Sequence, residues 1–222
     1  MAEGDGLRRS WLAVPLVAIG GCVDAIGWLR LQELFVSFMS GTSTLLGVAL
    51  AQGQPSRAAE LALVVALFAA GAVMGAGLAR LAGRWRAAVV LAVVAALLGC
   101  GWRLPSVHGA GLPPMAFAVV PAMGALNLTL PGVGGITFVT GSLTRFADAL
   151  MAALAGAGPH GAWLVQLAAW TALVVGTTTG AWLEVRMGQD ALVVPALAAA
   201  VAALAAYDLE RRQAATASAR SG

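Results

Sequence analysis

The chain has 222 residues, of which 60% are hydrophobic and only 10% charged, whereas a soluble domain is typically about half apolar and about a quarter charged. So few charges cannot cover a soluble surface of this size, which excludes an ordinary cytosolic enzyme, a disulfide-stapled secreted domain and a nucleic-acid binder. The 13 basic residues are all arginine, and they are scattered rather than clustered on one face.

A bilayer core about 30 Å thick is crossed by about 20 apolar residues in a helix. Taken in chain order, apolar runs occur at Trp11–Leu29, Leu34–Ala51, Ala58–Leu81, Ala87–Trp102, Met115–Leu130, Val133–Ala155, Ala162–Leu183 and Ala191–Tyr207. Before the first run, Arg8-Arg9-Ser10-Trp11-Leu12 loosely resembles a twin-arginine signal and Ile19–Cys22 a lipoprotein cleavage box. A signal core is short and uncharged, but this run contains Asp24 and continues to Leu29, so Arg8 and Arg9 read instead as anchors that keep the N-terminus in the cytoplasm. Gln52–Arg57 is a loop, Gly83–Arg86 a basic turn, and Arg103–Pro114, with three prolines, the longest break and the midpoint. Trp102, Trp163 and Trp182 lie near run ends, where amphipathic rings favour the headgroup layer. Cys22 and Cys100 have no neighbouring histidine or second cysteine and read as small core hydrophobes.

The two sides of the midpoint match each other. Phe35–Thr44 lies over Gly135–Thr144, Gly21-x-x-Asp24 over Gly124-x-x-Asn127, and Gly71-x-x-x-Gly75-Ala76-x-Leu78 over Gly176-x-x-x-Gly180-Ala181-x-Leu183. The expected architecture is an all-α polytopic helical membrane protein of two homologous halves, residues 1–107 and 108–222, each with three to four helices, giving six to eight hydrophobic segments. If every run spans, the halves are parallel. If the second run of each half is re-entrant or broken, three spans remain per half and the halves are inverted. Six spans place Arg80, Arg84 and Arg86 in the cytoplasm with Arg8 and Arg9, which the positive-inside rule mildly favours.

Ionisable residues inside a membrane default to functional candidates, and three qualify: Asp24, Arg145 and Asp148. Arg145 and Asp148 stand three apart on a predicted helix and can pair. The hydroxyl-glycine-hydroxyl elements Ser40-Gly41-Thr42 and Thr140-Gly141-Ser142 are candidate helix breaks, whose freed backbone groups are tolerated where they line a cavity. The bland reading is close packing through small residues with back-bonded hydroxyls. Asn127, in the run that mirrors Asp24, joins the candidate solute-binding set: Asp24, Ser40, Gly41, Thr42, Asn127, Thr140, Gly141, Ser142, Arg145 and Asp148. Gly156-x-Gly158-x-x-Gly161 imitates a dinucleotide fingerprint but follows no strand, and the chain holds no metalloprotease or serine-hydrolase motif. No enzyme activity, cofactor or metal is expected.

Gly21-x-x-Asp24-Ala25 followed by Phe38-Met39-Ser40-Gly41-Thr42 resembles the YoaK-like family of uncharacterised bacterial membrane proteins, as does Thr140-Gly141-Ser142 in the second half. The family's usual Thr-Gly-Asn is Ser40-Gly41-Thr42 here, so an amide is lost and a hydroxyl kept. The resemblance implies an integral inner-membrane, multi-pass protein and supplies no activity. The expected function is a transporter or permease for a small polar solute or ion, with its site between the halves. The alternative is a non-transporting membrane scaffold or assembly protein. Expected partners are the lipid bilayer and the solute, not nucleic acid, with a homo-oligomer left open.

Overall fold

The computed structural model describes residues 2–31, 33–106, 111–130, 137, 140–157 and 161–221, with side chains described from residue 11 to residue 216 within those ranges. Eight α-helices follow in order: α1 (Ala2–Arg30), α2 (Met39–Ala51), α3 (Pro55–Leu81), α4 (Arg86–Arg103), α5 (Ala116–Leu126), α6 (Thr140–Leu154), α7 (Ala162–Met187) and α8 (Val193–Ser221). Among the described residues, four stretches are long and apolar enough to cross a membrane: Trp11–Arg30, Pro55–Leu81, Gly83–Arg103 and Ala162–Thr216, the last containing both α7 and α8. The chain is a polytopic helical membrane protein.

Its punctuation recurs. Past the ends of α2 and α6, Gly53 and Gly156 take φ of +67° and +69°. The amides beyond them fold back identically, Gln54 N to Ala49 O and Ala157 N to Ala152 O, each at 2.9 Å. Past the ends of α3 and α7, Gly83 and Gly188 take φ of +54° and +52°, and each opens a short 3-10 turn. Left-handed backbone of this kind is cheap only for glycine.

Glycine also sets the helix pairs. A Cβ on Gly71 of α3 would collide with the Pro121 carbonyl of α5, and one on Gly75 would lie 2.8 Å from the Ala125 Cα. Likewise a Cβ on Gly176 or Gly180 of α7 would collide with the Ala18 or Cys22 carbonyl of α1. Small residues let helix backbones approach this closely where lipid provides no hydrophobic drive between helices. In both pairs the residue numbers rise together, so α1 runs parallel to α7, and α3 parallel to α5. Between α4 and α8 the order reverses. Glu210 accepts the Ala87 amide at 3.0 Å at one end, and Trp102 Nε1 donates to Asp190 Oδ1 at 2.9 Å at the other.

These contacts fix directions. Arg30, at the end of α1, binds Glu184 and the Gly188 carbonyl, beside the turn holding Asp190, so the ends of α1, α4 and α7 lie together. Arg86, at the start of α4, reaches the Leu128 carbonyl just past α5 at 3.3 Å, so α5 ends where α4 begins. Helices α1 and α5 therefore run in opposite directions. The core lies where α5 packs against α4 on one side and α1 on the other, around Val23, Ile26, Leu98, Val119, Met123 and Leu126, all essentially inaccessible.

Candidate functional site

The apolar run Leu34–Ala51 is not one helix. After α1 ends at Arg30, the chain turns back along it. A Cβ on Gly27 would press on Val36 at 2.7 Å, the Trp28 and Phe35 rings meet at 4.5 Å, and Ser37 reaches the level of Asp24. Asp24 Oδ1 accepts the amides of Val36 and Ser37 at 3.0 and 2.8 Å, and the Ser37 hydroxyl donates to Oδ2. The side chain of Asp24 therefore stands in for the backbone partners that an unwound segment lacks in an apolar surrounding. Helix α2 then starts at Met39, and since α3 must descend beside α5, α2 returns to the end at which α1 finished.

A similar device, made with an amide, follows α5. Asn127 Oδ1 accepts the Thr137 amide at 3.0 Å, Asn127 Nδ2 lies 3.1 Å from the Thr137 hydroxyl, and the same Nδ2 donates to the Met123 carbonyl at 2.9 Å. Residues 131–136, 138 and 139 lie outside the described residues. Helix α6 follows from Thr140 and ends where α7 begins, at the opposite end of the bundle from α2.

Both turns converge on α1. Ser37 is bound to Asp24, and the Thr137 methyl would lie 2.9 Å from a Cβ on Gly20. Gly20 and Asp24 are one helical turn apart, about 6 Å along the axis. The helices that leave these turns diverge, and among the described residues α2 and α6 make no contact.

The remaining candidates fall on the two short helices. Thr42 and Ser142 are buried, whereas Ser40, Thr140, Arg145 and Asp148 are exposed, and Gly41 and Gly141 are half-buried. Thr42 back-bonds weakly to Phe35 and Phe38 carbonyls, and Thr44 and Thr144 bond the carbonyls of Ser40 and Gly141, each at 3.0 Å. The expected Arg145–Asp148 pair does not form. Arg145 turns to Gln166 of α7 and to the Ser142 hydroxyl, at 3.2 Å each, because α6 packs on α7 and Gln166 offers a neutral acceptor there.

Five participants lie outside the candidate set read from the sequence. Ser37 and Thr137 are the pinned residues, and the signal for them was their place ten to thirteen residues after a mirrored Asp or Asn. Gln166 is a lone amide in an apolar run. Arg30 and Glu184, read as residues at run ends, form an ion pair at 2.8 Å with side chains only 7% and 17% exposed. An apolar groove between α1 and α7, lined by Trp11, Pro15, Leu164, Leu167, Thr171 and Val175, lies apart from the two turns. No group of three potential metal ligands occurs among the described residues.

The family described as "Protein of unknown function (DUF1275)" matches residues 12–205. The chain belongs to that family. The matched span takes in every candidate residue. The chain is also similar to UPF0700 transmembrane protein RA0705 of Rhizobium meliloti (strain 1021), with 34% identity over 214 residues, covering 92% of this chain and 91% of the relative. No solved structure matches.

Proposed function

We propose that this DUF1275 protein is a transporter or permease for a small polar solute in the bacterial inner membrane, with its site at the two pinned turns. The observation that carries the reading is the pair Asp24–Ser37 and Asn127–Thr137. Two irregular segments approach from opposite ends and come within one α1 turn of each other. Non-helical backbone at membrane depth is tolerated where it is buried in protein or lines a water-filled cavity, and such breaks mark the binding site in inverted-repeat transporters. Exposed Ser40, Ser43, Thr44, Thr140 and Thr144 gather hydroxyls on the first two turns of α2 and α6.

The proposed topology has six spans with cytoplasmic termini. Helices α2 and α6 are re-entrant, and residues 1–107 and 108–222 are homologous halves of opposite orientation. The matching glycine turns, the exchanged pairs α1 with α7 and α3 with α5, and the opposed directions of α1 and α5 support this. Arg80, Arg84 and Arg86 then join Arg8, Arg9, Arg211 and Arg212 on the cytoplasmic side. Both short helices direct their N-termini inward, and Arg145 sits in the second turn of α6. The electrostatics therefore favour an anionic solute.

The runner-up is a membrane scaffold without transport. It is favoured by the engagement of both Asp24 oxygens and both polar atoms of Asn127 within the chain itself. Flux of small anions and neutral polar solutes into proteoliposomes separates the two. The transport reading expects flux that falls in R145A while the variant stays folded. Solute-tight vesicles across the panel, with protein that no solute stabilises, would support the scaffold.

A further inference from the structure

We infer that Asp24 is a proton-binding site, and that its protonation state sets whether the turn at Val36–Ser37 is held. The inference deepens the transport reading and rests on it for its purpose, although the test below needs no transported solute.

The internal comparison between the halves supplies the reason. Asn127 pins Thr137 with an amide, accepting the backbone N–H on Oδ1 and donating from Nδ2 to the Met123 carbonyl one turn back. The same pin at the mirrored position is made by a carboxylic acid. Holding a turn therefore does not require a charge, yet a charge-bearing group occupies the buried position in the first half, where a membrane makes ionisable residues expensive. Asp24 is only 9% exposed, and its described hydrogen-bond partners are all donors on Val36 and Ser37.

Those partners also select the ion. A metal cation wants several oxygen ligands, but the Asp24 oxygens are met by two N–H groups and one hydroxyl, whose positive ends repel a cation. A proton needs only the carboxylate. When ionised, Asp24 is acceptor-only and takes all three donors. Once protonated, one oxygen becomes a donor, so the Ser37 hydroxyl loses its acceptor there, and the neutral Oδ1 accepts the two amides more weakly than a carboxylate does. Low pH thus loosens the turn and high pH holds it.

The neighbouring charged and titratable groups are accounted for. On α1, Cys22 packs against Gly180, and Arg30 is paired with Glu184 of α7. The returning segment carries Glu33, α7 also carries Arg186, and the 3-10 turn after α7 carries Asp190, which takes the Trp102 indole. The apposed α8 carries Tyr207, stacked on Trp85, and Asp208, Glu210, Arg211 and Arg212, with Glu210 capping Ala87. Neither α5 nor α2 carries an ionisable side chain. None of these groups hydrogen-bonds Asp24 among the described residues.

The test uses the full chain in proteoliposomes, with Cys22 and Cys100 replaced by alanine and Ser40→Cys as a reporter on the first turn of α2. Labelling by a membrane-impermeant maleimide is normalised at each pH to the same cysteine in detergent-denatured protein. The expected rate rises about tenfold between about pH 8 and about pH 5, stays level when Asp24→Asn is added, and is unchanged by exchanging sodium for potassium. Ser37→Ala, which removes one donor to the ionised form, moves the midpoint to higher pH. A rise that persists in Asp24→Asn, a level profile with Asp24 present, an unmoved midpoint in Ser37→Ala, or a response to sodium at fixed pH would each overturn the inference. An Asp24-dependent rise in vesicles that pass no solute would uphold the proton site and count against the transport reading alone.

Discussion

Asn127 and Thr137 hold each other by backbone and side chain at once: the Thr137 amide donates to Asn127 Oδ1 at 3.0 Å, and the Asn127 Nδ2 stands 3.1 Å from the Thr137 hydroxyl. The contact ties the end of α5 to the segment before α6. Removing it in N127A leaves a buried amide and the Met123 carbonyl without partners, at a cost of about 1–3 kcal/mol. Thermal unfolding of purified N127A in detergent should show a clear drop in Tm, and T137V should lose less, because its backbone N–H still reaches Asn127.

The glycines at the helix pairs are predicted to be unequal. Gly71 and Gly176 face backbone of α5 and α1, where no flexible side chain can move aside. G71A and G176A should each destabilise by about 1–3 kcal/mol through overpacking. Gly77, on the same α3, has nothing within 4 Å of an added Cβ. G77A should leave Tm unchanged or slightly raised, and this contrast within one helix is read by the same unfolding measurement.

At the end of the bundle where α1 and α7 finish, Arg30 and Glu184 form a largely buried ion pair. Truncating one member strands the other charge, so E184A should cost about 3 kcal/mol, whereas the apolar double variant R30M/E184L should recover most of the loss. A double-mutant cycle on Tm or on chemical denaturation would give the coupling, and strictly additive single losses would mean that the pair contributes nothing as a pair.

Much of the fold is written in the sequence as glycine and apolar runs. The Gly71/Gly75 and Gly176/Gly180 pairs, read as packing faces, do set close helix approaches. Segment boundaries inside the apolar runs are less legible. Phe35-Val36-Ser37-Phe38 is as apolar as the helix it precedes, and only the long-range bond from Asp24 marks it as unwound. Direction is also hidden, because the same hydropathy fits a run that crosses and a run that turns back. The Arg145–Asp148 spacing suggested a pair that tertiary context overrides, since Gln166 lies on a different helix. Arg30 and Glu184 stand 154 positions apart, and nothing local in either run connects them.

The most direct test of the account is the side from which each turn can be reached. With Cys22 and Cys100 removed, Ser40→Cys and Thr140→Cys would be exposed to an impermeant thiol reagent in right-side-out and inside-out vesicles. Two oppositely oriented re-entrant segments predict that Ser40→Cys reacts only from the outer face and Thr140→Cys only from the cytoplasmic face. Reaction of both from the same face would contradict the account.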